Sequence, residues 1–375
     1  VPGPIEVADE VLYANAHPAV GHTAPEFIPV FGECIRLTRK VLFTENAQPF
    51  IISGSGTLGW DQVSANLIEA GDHVLVLNTG YFGDSFADCL QTYGANVTQL
   101  RAPVGAGVSE YELESALKER SYKMVTFTHV DTSTGVLTNA KALAATVRRV
   151  APQSLVVVDA VCSVASEEIQ MDDWGLDVVV TASQKGLGVP PGLSILVASQ
   201  RALGVYKSRK VPVSSYYASW KNWLPIMEAY EANRPAYFAT PPVNLIYAYR
   251  TSLELILNKP GLSLVQRFEK HKKTTEKIGQ EMQRLGLKFV AEKKEDRANG
   301  MTALYLPEGI TAGELLASLS KKGIVATGGV HKDIKDKYFR IGHMGVTVVD
   351  EERGDVDKLI TSLREALVEI TSSKQ

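Results

Sequence analysis

Two short apolar runs, each followed by a polar residue, most strongly constrain the fold of this chain. Residues 155–158 and 178–180 are continuous stretches of β-branched and aliphatic side chains, a pattern typical of strands buried on both faces of a parallel sheet. Asp159 ends the first run, and Lys185 follows the second after a short polar segment. Ligands of open α/β sheets bind outside the carboxyl ends of the strands. The sequence therefore predicts that Asp159 and Lys185 reach one crevice.

The residues around Lys185 indicate a tight turn and not a solvated helix face. Gly186, Gly188 and the segment 190–192 (Pro-Pro-Gly) follow it, and an amine in such a turn can be partly desolvated and made nucleophilic. Pyridoxal phosphate (PLP) requires a lysine that forms a Schiff base and a carboxylate that keeps the pyridine nitrogen protonated. Strand-end aspartates and surface lysines are often only structural, but this pair in its glycine context favours the catalytic interpretation.

Two segments at this point resemble a known family. Val-Asp-Ala-Val-Cys-Ser (158–163) and Ala-Ser-Gln-Lys-Gly (182–186) resemble the class V aminotransferases of PLP fold type I, within them the alanine–glyoxylate and serine–pyruvate aminotransferase group. The resemblance extends from residues 2–4 to residues 340–342, nearly the whole chain. It implies an α/β fold, with a mostly parallel seven-stranded sheet between helices in a large domain and a smaller C-terminal α+β domain.

The composition excludes several other classes of protein. The chain has 375 residues, of which 45% are hydrophobic and 22% charged, as expected of a globular protein with two domains. A net charge of −3 gives no reason to expect a nucleic acid or an anionic membrane as a partner. No stretch approaches the roughly 20 apolar residues of a membrane span.

The cysteines favour a reducing compartment and argue against one related activity, that of a cysteine desulfurase. Cys34, Cys89 and Cys162 lack metal-ligand spacing and are odd in number, which favours a reducing intracellular compartment without a disulfide framework or metal site. The sequence does not distinguish cytosol, peroxisome and mitochondrion. All three cysteines precede residue 163, which argues against a cysteine desulfurase, since that activity would need a mobile cysteine in the C-terminal domain.

Breaker residues and capping patterns predict the domain organisation. Residues 1–20 are rich in proline and predict an arm without regular structure. Residues 21–258 would form the large PLP-binding domain and residues 259–375 the small domain, with the boundary at Asn-Lys-Pro-Gly (258–261). Thr23 with Glu26 predicts a capping box for a helix that runs to about Phe43, and Thr311 with Glu314 predicts another.

The glycine-rich segment 54–59 (Gly-Ser-Gly-Thr-Leu-Gly) follows a short predicted strand at 50–52. Its G-x-G-x-x-G pattern raises the alternative of a nucleotide-binding dehydrogenase, which requires an acidic residue at the end of the next strand. That strand, residues 73–77, ends in Asn-Thr-Gly instead, so this alternative is disfavoured. Glycines before a helix also suit a phosphate, and Ser55, Gly56 and Thr57 would bind the 5′-phosphate of PLP.

The resemblance implies further contacts with the cofactor. Phe82 would stack on the pyridine ring, where the family more often has tryptophan. Thr132 would contact the cofactor near its phenolic oxygen or the Asp159 carboxylate. Val161 and Gln184 complete the predicted cofactor contacts within one subunit.

Residues later in the chain imply a homodimer with shared active sites. By resemblance, Tyr237 and Thr240 would reach across the dimer to the partner's PLP phosphate. The aromatic segment 205–225 predicts an exposed surface for the second subunit; its aromatic residues are Tyr206, Tyr216, Tyr217, Trp220 and Trp223.

Three residues are expected to bind the substrate. Arg340 lies in an apolar predicted strand, and a buried guanidinium needs an anion such as an amino-acid carboxylate; the family has its substrate-carboxylate arginine at this position. Gly21 and His22 match a region that lines the substrate pocket in the family, although a histidine before a helix is more often a turn residue.

These features predict transamination between a small-molecule amino acid and a 2-oxo acid. The expected reaction transfers the amino group of alanine to glyoxylate and gives pyruvate and glycine by a ping-pong mechanism. Serine–pyruvate or serine–glyoxylate transamination stays open, because the donors differ by one hydroxyl and no sequence feature decides between them.

Overall fold

The computed structural model describes residues 1–374. Its strands are β1 (Gln48–Ser53), β2 (His73–Asn78), β3 (Asn96–Arg101), β4 (Met124–Thr128), β5 (Val130–Asp131), β6 (Val136–Leu137), β7 (Leu155–Asp159), β8 (Val178–Ala182), β9 (Leu193–Ala198), β10 (Met301–Tyr305), β11 (Thr327–Gly328) and β12 (Tyr338–Gly342).

The helices alternate with the strands in the first half of the chain. They are α1 (Asp9–Asn15), α2 (Phe27–Val41), α3 (Thr57–Leu67), α4 (Tyr81–Thr92), α5 (Glu110–Glu119), α6 (Ala140–Val150), α7 (Gln200–Lys207), α8 (Trp220–Glu231), α9 (Val243–Asn258), α10 (Leu264–Arg284), α11 (Ala312–Lys321), α12 (Val346–Val349) and α13 (Asp355–Ser372). Of these helices, none combines the length and the apolarity needed to cross a membrane.

The main sheet has seven strands in the order β1-β9-β8-β7-β4-β2-β3. Only β9 is antiparallel to its neighbours, β8 and β1, and the other pairs are parallel. The predicted mostly parallel sheet with an antiparallel return strand is therefore confirmed. Parallel pairs need crossover connections, which α4, α5 and α6 supply between β2, β3, β4 and β7.

The two apolar runs, residues 155–158 and 178–180, lie in the adjacent central strands β7 and β8. Every residue of both strands is buried, as continuous apolar runs predict for a sheet covered on both faces. Asp159 is the last residue of β7 and pairs in register with Thr128 of β4 and Val180 of β8. The sheet therefore holds the Asp159 backbone from both sides.

A second, smaller sheet lies in the C-terminal part of the chain. Its antiparallel order is β10-β12-β11, and a separate apolar cluster packs it against α10, α11 and α13. The capping box of Thr311 and Glu314 is confirmed. A third cluster joins residues from both parts, such as Val130 and Cys162 with Tyr338. Helix α9 ends at Asn258; the division into domains at this point stays a prediction.

Two predictions for the N-terminal region are wrong. Residues 1–20 contain the helix α1, because the prolines at positions 4 and 18 flank residues 9–15 without interrupting them, and Asp9 and Glu10 suit the positive end of the helix dipole. The second helix begins at Phe27, and Thr23 does not cap it. Pro25 disfavours a helical conformation at the residue before it, so residues 21–26 form turns.

The aromatic segment 205–225 is less exposed than predicted. Trp220 and Trp223 are buried at 0% and 2% exposure, because the Trp220 ring stacks on Phe50 at 4.9 Å and Trp223 meets Phe238 edge-on at 5.0 Å. Tyr216 does stay exposed, at 80%. Both tryptophans therefore belong to the interior of the subunit.

Candidate active site

A cavity of about 210 Å³ lies at the carboxyl ends of the central strands. It is lined by nine of the residues predicted from the sequence, namely Ser55, Gly56, Thr57, Phe82, Thr132, Asp159, Val161, Gln184 and Lys185, together with Gly3, Trp60, Thr128, Val130 and Cys162. The crevice predicted for Asp159 and Lys185 is therefore a common cavity.

Lys185 lies in a tight turn that follows β8. The N–H of Gly188 donates to the Lys185 carbonyl at 2.7 Å, and that of Val189 donates to the Ser183 carbonyl at 3.0 Å. The lysine is 8% exposed, and Nζ donates to the carbonyl oxygen of Pro2 at 2.5 Å. Burial lowers the pKa of this amine, although the nearby Asp159 carboxylate opposes that shift. Its surroundings therefore favour a neutral, nucleophilic amine.

Asp159 is a buried carboxylate with two hydrogen-bond donors. Its side chain accepts from the indole Nε1 of Trp60 at 3.0 Å and from the backbone N–H of Val161 at 3.0 Å. Burial raises the pKa of Asp159 to about 6; the two donors oppose the shift and the nearby Asp131 carboxylate adds to it. An ionised Asp159 therefore lacks a fully compensating charge and suits a cationic partner in the cavity.

A close backbone contact at Gly186 holds the lysine turn against the segment that follows Asp159. A Cβ atom at Gly186 would lie 2.3 Å from the carbonyl oxygen of Val164, so only glycine allows the lysine turn to pack on the segment that follows Asp159. The guanidinium of Arg267 donates to the Ala165 carbonyl at 2.9 Å and to the Gly186 carbonyl at 3.2 Å. This buried side chain thereby ties the two segments together.

The glycine-rich loop contributes Ser55, Gly56 and Thr57 to the cavity wall. Helix α3 begins at Thr57, so the first N–H groups of the helix have no acceptor within it and can bind an anion. A Cβ atom at Gly56 would lie 2.9 Å from Val161 Cγ2, and glycine thus brings the loop against the segment after β7. The side chains of Ser55 and Thr57 are exposed and available to a phosphate.

Arg340 reaches the edge of this site from the small sheet. It is 7% exposed, and its guanidinium donates to the carbonyl oxygens of Gly328 at 2.9 Å and Thr132 at 3.0 Å. Burial lowers the pKa of Arg340. Both acceptors are neutral, so an anion beside the cavity would supply the charge that this buried guanidinium lacks.

Besides Arg340, four predicted site residues lie outside this cavity. The rings of His22 and Tyr237 lie close together, with centroids 5.0 Å apart. Gly21, Tyr237 and Thr240 are exposed. These residues form a second group on the surface of the subunit, where a partner could meet them.

Trp60 and Gly3 line the cavity but were not recognised in the sequence. The position of Trp60 in the first turn of α3, directly after the glycine-rich loop, could have indicated it. Gly3 and Lys185 are far apart in the sequence, and no local pattern indicates their contact.

Comparisons with known proteins agree with this geometry. The family model of the class V aminotransferases matches residues 6–341. The chain belongs to the class V aminotransferases. Alanine–glyoxylate aminotransferase 1 of Saccharomyces cerevisiae is 41% identical over 363 residues, which cover 94% of this chain and 92% of the yeast protein. Serine–glyoxylate aminotransferase of Methylorubrum extorquens is 29% identical, over 92% of this chain and 85% of its own.

The solved structures confirm the predicted fold class. The crystal structure of alanine–glyoxylate aminotransferase from Nostoc sp. superimposes with a TM-score of 0.89 and 31% identity, and the match covers 98% of this chain and 94% of the other. The protein thus has the PLP fold type I architecture that the resemblance implied.

The residues of the cavity fit PLP, the cofactor of this aminotransferase class. An amine and a carboxylate share the cavity with a helix N-terminus suited to a phosphate. The buried Oε1 atom of Gln184 has no hydrogen-bond partner within residues 1–374, and a polar ligand would satisfy it.

The raised pKa of Asp159 predicts a specific pH dependence of stability for the cofactor-free protein. The ordinary aspartate pKa is about 3.9, so the folded protein binds the Asp159 proton more tightly than the unfolded chain does. The resulting contribution to the free energy of unfolding is fully present below about pH 4 and is lost as the pH rises through about 6. The test subtracts the unfolding free energy of Asp159→Asn from that of the wild type. This difference should fall by about 1.4 kcal/mol per pH unit in this window. Urea unfolding at several pH values measures it, and a constant difference would contradict the assignment.

Proposed function

We propose that this protein transfers the amino group of L-alanine to glyoxylate and forms pyruvate and glycine. The observation that carries the proposal is the enclosure of Lys185 and Asp159 in one cavity with the Arg340 guanidinium at its edge. The 41% identity to the yeast alanine–glyoxylate aminotransferase supports alanine as the donor.

Lys185 is the proposed group that moves the proton. Its buried amine has a lowered pKa, so a neutral fraction is available to accept the proton from Cα of the amino acid as a general base. The same nitrogen, once protonated, can return that proton as a general acid. PLP, when bound, supplies the electron sink for this step.

Asp159 is proposed to keep the pyridine nitrogen of PLP protonated. The carboxylate is almost completely buried and its pKa is raised to about 6. A pyridinium beside it would favour the ionised carboxylate, and the carboxylate would in turn favour the pyridinium. Trp60 and the Val161 N–H already fix its two oxygens, so the pairing would need little reorganisation.

The other cavity residues would hold and orient the cofactor. We assign the phosphate to Ser55, Gly56 and Thr57, because they combine hydroxyl groups with a helix N-terminus. Phe82 offers an apolar ring at the start of α4 for stacking on the pyridine, and Thr132 also lines the cavity.

A serine donor is the second candidate. The 29% identity to serine–glyoxylate aminotransferase of Methylorubrum extorquens favours keeping it, with glyoxylate or pyruvate as the acceptor. The ratio of kcat/KM for L-alanine and L-serine with each oxo acid decides the donor, and a ratio above about 10 corresponds to about 1.4 kcal/mol of discrimination.

The proposal includes a homodimer in which each subunit completes the other's site. Tyr237 is 66% exposed and Tyr216 80%, and Thr240 is also exposed. Apolar and aromatic surface of this kind is typical of interfaces. We assign Tyr237 and Thr240 to the phosphate in the partner's cavity, and Gly21 and His22 to the substrate entrance.

Arg340 should act on the substrate and not on the cofactor. Arg340→Ala removes the carboxylate anchor, so kcat/KM for alanine and for glyoxylate should fall by about 100-fold or more while PLP stays bound. Arg340→Lys should recover only part of this loss, because it offers a point charge instead of a planar fork. Single-turnover rates with L-alanine and with ethylamine, which lacks the carboxylate, measure the effect. Equal losses for both amines would show that Arg340 is only structural.

Subunit mixing tests whether the site is shared. Hybrid dimers of one Lys185→Ala subunit and one Tyr237→Ala subunit contain one complete site if Tyr237 serves the partner, so they should regain about half of the wild-type rate at limiting PLP. Tyr111→Ala, at another exposed tyrosine (81% exposed), is the control and should not alter PLP affinity. Hybrids no more active than the Tyr237→Ala homodimer would place Tyr237 in its own subunit's site.

A further inference from the structure

An N-terminal segment that carries no assigned role covers the amine of Lys185. We call residues 1–5 the strap. The N–H of Ile5 donates to the Gln184 carbonyl at 3.1 Å, and the Pro2 carbonyl accepts from Lys185 Nζ at 2.5 Å. The strap is thus hydrogen-bonded to the backbone beside the lysine and to the lysine's own nitrogen.

The small sheet packs just as closely on the other side of the strap. A Cβ atom at Gly342, the last residue of the strand that carries Arg340, would lie 2.1 Å from the Val1 carbonyl oxygen. A Cβ atom at Gly345 would lie 2.5 Å from Ile5 Cδ1. The strap therefore runs between the arginine strand and the lysine turn and contacts both without space to spare.

Gly3 is the point of closest approach to the lysine. A Cβ atom at this position would lie 2.4 Å from Lys185 Cδ, 2.6 Å from Cε and 2.7 Å from Nζ, and the backbone φ of Gly3 is +135°. A side chain would therefore strain the backbone and also displace the strap or the lysine. Gly3 lines the same cavity as Asp159, so any displacement occurs where the substrate would react.

We propose that the strap is a wall of the active site and that the Pro2 carbonyl holds the Lys185 amine whenever it is not bonded to the cofactor. Gly3 is then a positioning residue, since only glycine leaves the space in which the amine moves between carbonyl and substrate. The inference rests on the proposed function, in which Lys185 must be released to move a proton. It adds a fixed location for the released amine.

The chemistry of a carbonyl suits this role. A backbone carbonyl only accepts hydrogen bonds and has no proton to exchange. It can therefore orient the amine in both its neutral and its protonated form, and the proton stays available to the substrate carbon. A carboxylate in the same place would favour the charged form and remove the general base.

The test compares Gly3→Ala with Gly107→Ala, a glycine around which an added Cβ would meet nothing within 4 Å. Gly3→Ala should retain PLP, because the phosphate loop and Asp159 are untouched, yet its kcat should fall by about 100-fold, the loss expected from a misplacement of about 1 Å. KM for alanine should change little. Gly107→Ala should match the wild type in PLP content and kcat.

A second readout does not depend on turnover. In the cofactor-free protein, competitive acetylation by trace acetic anhydride at about pH 11, above the ordinary lysine pKa of about 10.4, reports how accessible each amine is. Lys221 is exposed and serves as the internal reference. Lys185 should react several-fold faster relative to Lys221 in Gly3→Ala, and also in a protein that lacks residues 1–3, than in the wild type.

The outcomes separate this inference from the proposed function. Wild-type kcat together with wild-type acetylation of Lys185 in Gly3→Ala would overturn the role of the strap. If Gly3→Ala does not fold, the deletion of residues 1–3 decides, and unchanged acetylation of Lys185 there would also overturn it. A wild-type protein that does not transaminate would contradict the proposed function, while the acetylation result would still test the strap.

Discussion

The site depends on the burial of two ionisable side chains, which lie at or just beyond the carboxyl ends of the neighbouring strands β7 and β8. Asp159 and Lys185 are 2% and 8% exposed. Burial raises the pKa of Asp159 and lowers that of Lys185, and both shifts favour the neutral form of the side chain. Removing such groups from water is costly unless they are paired or used. The strand ends, the glycine contact at Gly186 and the bridge from Arg267 all hold this arrangement in place. A cationic cofactor group beside Asp159 would offset part of that cost.

Arg340, the proposed substrate-binding arginine, belongs to a different sheet, so the proposed site requires both parts of the chain. Arg340 lies on β12, yet its guanidinium donates to the carbonyl of Thr132, whose side chain lines the cofactor cavity. The strap crosses the same junction from Gly342 to Gln184. A shift of the small sheet would therefore move Arg340 and the strap together. Through these contacts the strap would influence the chemistry at Lys185 in the way proposed above.

The central features could be predicted from the sequence because they follow from local patterns. Continuous apolar runs predicted β7 and β8, and their polar ends predicted a common cavity for Asp159 and Lys185. The contact of Gly3 with Lys185 could not be predicted, because it depends on packing between segments that are far apart in the sequence. Trp60 was missed although its position after the glycine-rich loop offered a local signal. The Thr23 cap failed because Pro25 outweighed the capping pattern. Trp220 and Trp223 were misjudged since aromatic composition alone does not distinguish an interface from an interior.

The most direct test of the account is a half-reaction with a single substrate. The purified protein, loaded with PLP, is mixed with excess L-alanine in the absence of glyoxylate, and the pyruvate formed is measured together with the absorption spectrum. A ping-pong transaminase with one lysine site per subunit should form one equivalent of pyruvate per subunit, lose its absorption near the visible edge, and regain it when glyoxylate is added. The absence of pyruvate, or continuous pyruvate formation without an acceptor, would contradict a ping-pong transamination with alanine as the donor.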